Sequence, residues 1–246
     1  LFIKKSPAIK VSRIEEGILS YGIELGFGQG NIINISYSIR KFLHKKNLTD
    51  NLCNFYCYYP DLYEGTLTPV QVPKIGINSK TAITLREVFR PVFSGYTQKY
   101  IFFTSVYDFE GGTPIGEYEL VCKIADLVGK DNLLVKTHPR DLRTIYNDNG
   151  FNVDKNSSIP WEAVQLGGDF SNHIFLTVNS GSVLAGSFMS EKPVRTFYMY
   201  KLCNIEGNST CQKNAKDIEA LLTNENMKEI LSKVSIANRL EEIVVG

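Results

Sequence analysis

Four short polar clusters in this sequence combine residue types that bind or transfer anionic groups. In Lys136-Thr137-His138-Pro139-Arg140 an imidazole sits between two cations, directly after the apolar run Leu133-Leu134-Val135. A histidine so placed can donate to a phosphate oxygen or protonate a leaving group, with Lys136 or Arg140 adding charge. The simpler alternative is a turn whose histidine only hydrogen-bonds backbone. Ser180-Gly181-Ser182 follows a second apolar run. Unpaired backbone N–H groups opening a helix there, with two hydroxyls, would make an anion cradle, and Gly181 would let the backbone approach closely. Ordinary N-capping accounts for Ser180 alone. Glu162, in the first turn of a helix opened by Pro160, can favour the helix dipole or grip both hydroxyls of a ribose. Glu15-Glu16-Gly17 ends a strand with two carboxylates: a solvated turn, or a general base for a sugar hydroxyl if one is desolvated.

The elements that must position these groups alternate through the second half of the chain. Lys99–Tyr107 is aromatic and β-branched and reads as a strand. Leu120, Val121, Ile124, Leu127 and Val128 form a helical stripe within Ile115–Gly129, closed by Gly129 as a C-cap. The run ending before His138 is short and apolar, as in a strand buried on both faces, and Pro139 stops it. Helix Trp161–Gly167, strand His173–Ser180, a helix beginning at Gly181 and strand Pro193–Tyr200 follow, with helix expected from Asp217 to Val244. Strands alternating with helices imply a Rossmann-like parallel sheet, at whose carboxyl edge ligands bind.

The first half is less regular. A strand at Ala8–Gly17, an amphipathic helix over 31–46 and a strand within Asn54–Tyr63 are expected. A connector with prolines and a short helix at Ser79–Phe89 comes next. Gly26-Phe27-Gly28-Gln29-Gly30 only superficially resembles a dinucleotide fingerprint and reads as a mobile loop. The expected organisation is a partial N-terminal α/β region over 1–75, a connector over 76–98 and a Rossmann-like domain with terminal helices over 99–246.

Composition excludes several classes. Twenty-seven Lys and Arg against 26 Asp and Glu imply no general polyanion-binding role, so no nucleic-acid partner is expected. No apolar run is long enough to span a membrane. Five cysteines are too few and scattered for a disulfide scaffold. Cys53 and Cys57 lack a nearby histidine or second pair, too little for a zinc site; no metal is expected. Cys203 and Cys211 could pair under oxidising conditions, but free thiols in a cytoplasmic protein are the expectation. The chain opens without Met or a signal-peptide pattern, as the ordered part of something longer would.

In order, acidic-acidic-Gly, then His-Pro, then Pro-x-Glu, then strand-Ser-x-Ser-helix resembles the bacterial sialyltransferases of GT-B architecture. These include lipooligosaccharide sialyltransferases and capsular polysialyltransferases. The matching residues are Glu15-Glu16-Gly17, His138-Pro139 and Ser180-Gly181-Ser182, spanning about two thirds of the chain. The resemblance implies a GT-B-like α/β fold: one Rossmann-like domain plus part of a second α/β domain, completed by missing chain or partner subunits. It implies that Glu16 or Glu15 deprotonates the acceptor hydroxyl, with Glu16 favoured. His138 would hold the donor phosphate and act as acid or electrostatic stabiliser for departing CMP. Ser180 and Ser182 would hold that phosphate, Glu162 the cytidine ribose, and Thr104 and Ser105 the sugar or its carboxylate. CMP-sialic acid would be the donor substrate, with no further cofactor, and a bacterial surface glycan the acceptor. Association with the inner face of the cell membrane and a homo-oligomer stay open. So do a GT-B enzyme using another nucleotide sugar and a non-catalytic nucleotide- or glycan-binding module.

Overall fold

A computed structural model of the chain describes residues 10–15, 52–63, 65, 67–110, 112–156 and 158–245. The chain divides into two compact units, Leu1–Lys74 and Ile75–Gly246. The glycine-rich loop 26–30, the helix expected over 31–46, Glu16 and Gly17 lie outside the described residues.

In the first unit, strands β1 (Val11–Ile14), β2 (Leu52–Cys57) and β3 (Thr68–Gln71) pair in parallel in the order β1-β2-β3. Phe55 and Cys57 are fully buried, and Phe55 packs on Tyr63 with ring centroids 4.4 Å apart. The strand expected within Asn54–Tyr63 ends at Cys57, because Pro60 opens a 3-10 turn over Pro60–Leu62.

In the second unit, helix α1 (Lys80–Phe89) begins with a Ser79 N-cap whose hydroxyl accepts from Ala82 N. The unit then alternates strand and helix: β4 (Tyr100–Phe103), α2 (Glu117–Val128), β5 (Leu133–Lys136), α3 (Ile145–Asp148), β6 (Asn152–Val153), α4 (Trp161–Gly167), β7 (Ile174–Thr177), α5 (Ala185–Met189), β8 (Arg195–Tyr198), α6 (Ser209–Thr223) and β9 (Val234–Ile236). The segment read as a connector holds α1, which packs on α4; Arg86 donates to Gly167 O at 3.1 Å and to Ile77 O at 2.8 Å.

The six strands pair in parallel in the order β6-β5-β4-β7-β8-β9. Counted within the unit this is 3-2-1-4-5-6, the order of doubly wound nucleotide-binding sheets, so the unit is α/β and compatible with a Rossmann-like fold. Every residue of β4, β5 and β7 is buried, as central strands covered on both faces require. On α2 the inward stripe is Leu120, Val121, Ile124 and Ala125, and Gly129 takes the positive φ (83°) that its C-terminal turn needs.

Two expected helices are corrected. The chain after Asp217 does not stay helical: α6 stops at Thr223, and Val234–Ile236 becomes the edge strand β9 beside β8. Val234 is buried there, so packing onto the sheet outweighs the local helical pattern. The segment after Ser180 opens as a 3-10 turn, Gly181–Leu184, before the short α5, and the Ser180 side chain caps nothing.

An aromatic cluster anchors the sheet beneath the cavity described below. Phe175 is fully buried, with ring centroids 5.1 Å from Phe103, 5.5 Å from Trp161 and 6.0 Å from Phe170. Replacing Phe175 by Ala should cost about 3–5 kcal/mol of unfolding free energy, read from the urea midpoint at unchanged slope. A loss under 1 kcal/mol would contradict this packing.

Candidate functional site

At the carboxyl ends of β4, β5 and β7 the chain encloses a cavity of about 650 Å³, within the usual size of small-molecule sites. In the order of this sheet β4 and β7 are neighbours whose connections run to opposite sides, which is where doubly wound sheets bind ligands. Thr104, Ser105, Lys136, His138, Pro139, Arg140, Glu162, Ser180, Gly181 and Ser182 all line this one cavity. Four separate stretches of sequence thus converge on it, joined by Thr210 and Asn214 from α6 and by Asn179, none of which the sequence singled out.

Two threonine hydroxyls stitch the strand tips together. Thr104 Oγ1 accepts from His138 N at 2.8 Å, tying the tip of β4 to the turn after β5. Thr177 Oγ1 donates to Phe103 O at 3.0 Å and accepts from Ser180 N at 2.9 Å, tying β7 to β4 and fixing the start of the serine turn. Tyr198, on β8, completes this by donating to Ser180 O at 3.2 Å. These bonds occupy backbone groups of the turns and leave their side chains for the cavity.

His138 is held in one tautomer. Its Nδ1 accepts from Arg140 N at 3.1 Å, so the neutral ring carries its proton on Nε2. Burial, then the neighbouring Arg140 and Lys136, hold the imidazole below its ordinary pKa, against an upward pull from Glu110 and Asp141. His138 is therefore a neutral hydrogen-bond donor at pH 7. A bound dianion would shift it toward the charged form.

The two flanking cations are not free charges. Lys136 is buried and pairs with Asp154 at 3.2 Å, its ammonium 5.8 Å from the centre of the Trp161 ring. Asp154 also accepts from the Tyr96 hydroxyl (2.8 Å) and from Asn156 N (3.0 Å). Arg140 is exposed and pairs with Glu110 at 2.5 Å, an arrangement that water largely screens. By contrast, the hydroxyls of Ser180 and Ser182, Nε2 of His138 and the carboxylate of Glu162 have no hydrogen-bond partner among the described residues. A Cβ built on Gly181 meets nothing within 4 Å. Packing does not demand glycine there, whereas a ligand pressed against the backbone would.

The turn after β4 is built differently. Ser105 N donates to both oxygens of Glu117 at 2.9 Å, and Asp108 accepts from Ile115 N (2.7 Å) and Glu117 N (2.9 Å). In dinucleotide-binding sheets the helix start after the first strand receives a pyrophosphate. Here two of the protein's own carboxyl groups already occupy that start. Glu117 is 1 % exposed, and burial pushes its pKa up to about 8 despite the Ser105 bonds and Arg143.

Glu15 lies in the first unit, at the tip of β1. It is buried, and its carboxylate accepts from Tyr58 N at 2.9 Å while its own N–H donates to Tyr56 O at 2.9 Å. Its favoured neighbour Glu16 lies outside the described residues.

Comparison with known proteins leaves the geometry to speak for itself. No family model, curated protein or solved structure matches the chain. Among the described residues no three His, Cys, Asp or Glu side chains group as a metal site would need, no helix is long and apolar enough to cross a membrane, and all five cysteines are free thiols.

Glu117 sets a pH dependence. Its folded pKa lies above the ordinary carboxyl value of 4.5, so between 4.5 and about 8 the folded chain holds a proton that the unfolded chain has lost. This contribution to stability is full below 4.5 and disappears as pH rises through about 8. Glu117→Gln keeps an acceptor for Ser105 N and cannot ionise. Urea denaturation should find it close to wild type at pH 5 and more stable than wild type at pH 9.

Proposed function

We propose that the chain is a glycosyltransferase that transfers sialic acid from CMP-sialic acid to a sugar hydroxyl of a bacterial surface glycan, with inversion. The supporting observation is the convergence of His138 and the Ser180–Ser182 turn on one cavity at the switch point of a parallel sheet. The phosphate of CMP would accept from His138 Nε2–H and the two serine hydroxyls, and Gly181 would let the turn close on it. Glu162, uncommitted on the wall, would take the ribose hydroxyls. Thr104 and Ser105 border the volume left for the sugar. The carboxyl-filled helix start after β4 disfavours a pyrophosphate, which argues against dinucleotides and for a donor with a single phosphate.

As the bond from the anomeric carbon to the phosphate oxygen lengthens, negative charge builds on the CMP oxygen and positive charge on the sugar. Hydrogen bonds placed beforehand stabilise the departing phosphate, and a His138 charged by its proximity to that phosphate can pass it a proton. The acceptor hydroxyl needs a base, which we assign to the Glu15-Glu16 pair of the first unit. A GT-B-like architecture, with one Rossmann-like domain and part of a second α/β domain, is part of this proposal, as is assembly near the cytoplasmic face of the membrane. A GT-B enzyme using another nucleotide sugar would share the phosphate-holding turn and differ in its choice of base.

Four measurements test the assignment. CMP should raise the melting temperature more than UDP or NAD at equal concentration, and stabilisation by UDP alone would favour the other nucleotide sugar. Saturation with CMP should move the NMR titration midpoint of His138 upward; a midpoint that stays put removes the phosphate from its side. With CMP-sialic acid and a galactoside acceptor, His138→Ala should slow turnover about 10²- to 10⁴-fold. Gly181→Val separates ligand demand from packing demand: it should change folding stability by less than about 0.5 kcal/mol yet weaken CMP binding.

A further inference from the structure

The amino ends of the same strands carry a second concavity, of about 560 Å³, formed by residues that lead into β4, β7, β8 and β9. Lys99, Arg195 and Lys233 line it together with the hydroxyl-bearing Ser171, Ser232 and Ser235, and among the described residues no Asp or Glu does. The strand register sets the cations side by side. Ile174 pairs with Arg195 and Thr196 with Val234, so Arg195 and Lys233 are cross-strand neighbours, on backbones about 4.8 Å apart. Tyr100 pairs with Ile174, which brings Lys99 abreast of His173 at the same rim.

Like charges gathered at one edge repel, and the chain as a whole offers no excess of basic residues to explain the cluster, since its formal net charge is only +1. The Arg195 guanidinium donates to Val245 O at 2.8 Å and lies 4.9 Å from the Phe197 ring centre, which positions it at this rim. Lys99 lies 5.5 Å from the Tyr100 ring centre. Neither Lys99 nor Lys233 has a carboxylate partner among the described residues, and Asp169, which Ser171 bonds at the rim, pairs with Lys192. His173 is turned inward, its Nε2 3.2 Å from Tyr96 O.

We infer that this basic dish is a second ligand site, which binds a multiply charged, phosphate-bearing anion. Two ammonium groups without a carboxylate partner among the described residues and the hydroxyls of Ser232 and Ser235, beside that positioned guanidinium, suit the oxygens of linked or multiple phosphates. The site is independent of the cavity at the other end of the strands and of the activity proposed for it.

The test uses isotope-labelled full chain and inorganic pyrophosphate as probe. Saturable amide shifts are expected at Ser171 and Ser232–Ser235, weakened at least about tenfold in Lys99→Glu/Lys233→Glu. Wild-type amide shifts away from the dish and an unchanged melting temperature verify the fold of the same variant; if it does not fold, Lys99→Gln/Lys233→Gln takes its place, with a smaller loss expected. Unsaturable shifts, or equal affinity in a folded variant, would overturn the site. Vesicles of phosphatidylcholine with or without a phosphoinositide separate the sources of the phosphate. Charge-dependent sedimentation that the variant loses assigns a lipid headgroup, and pyrophosphate binding without sedimentation assigns a soluble anion.

Discussion

The parallel pairing of β4 with β7 is the constraint from which the cavity follows. Because the chain leaves β4 toward β5 on one side and enters β7 toward β8 on the other, no connection crosses the carboxyl ends between them. That gap would stay a loose crevice without side-chain hydroxyls to fix its walls. Thr177 and Thr104 supply them by spending buried hydrogen bonds on backbone groups of the adjacent turns. Such bonds contribute about 1 kcal/mol each. Their larger effect is geometric, since they fix where His138 and Ser180 begin.

Electrostatically the cavity is less basic than its sequence suggests. Lys136 and Arg140 bring two positive charges, and Asp154 and Glu110 answer both. The groups left uncommitted are a neutral imidazole, two hydroxyls and a carboxylate. An anion bound there would be held by oriented hydrogen bonds more than by net charge. Such an arrangement stabilises charge as it develops in a reaction without binding the ground state too tightly. The buried Lys136–Asp154 pair in turn fixes the floor beside Trp161, because removing either partner would strand a buried charge.

Much of the second unit was legible in the sequence, for identifiable reasons. Central strands such as Leu133–Val135 are continuous apolar runs, and α2 has an unbroken inward stripe between Gly116 and Gly129. Most donor-side residues could be gathered because, like His138 and Ser180, they sit where an apolar run ends, whereas Glu162 was marked only by its place in a helix's first turn. β9 was not legible: Val234-Ser235-Ile236 is three residues long and follows a helical pattern, so only its contact with β8 identifies it. The partner of Lys136 was equally hidden, since Asp154 reaches it only through the β5–β6 register. Glu117 reads as an ordinary acidic residue of a helix's first turn. Its burial against Ser105 depends on how α2 meets β4, which no local pattern encodes. Thr177 looks like any β-branched strand residue, and its two bonds exist only once β4 and β7 are neighbours.

Trp161, the sole tryptophan of the chain, lines the cavity while being only 3 % exposed, with Phe103 at 4.7 Å and the Lys136 ammonium above its ring. An indole excited beside a cation and at the wall of a cavity emits at an energy set by its local field. Anything that fills the chamber replaces water near that ring and changes the field. The molecule therefore carries its own optical gauge of occupancy, uncontaminated by any second indole, and its emission spectrum reads the cavity directly without a label.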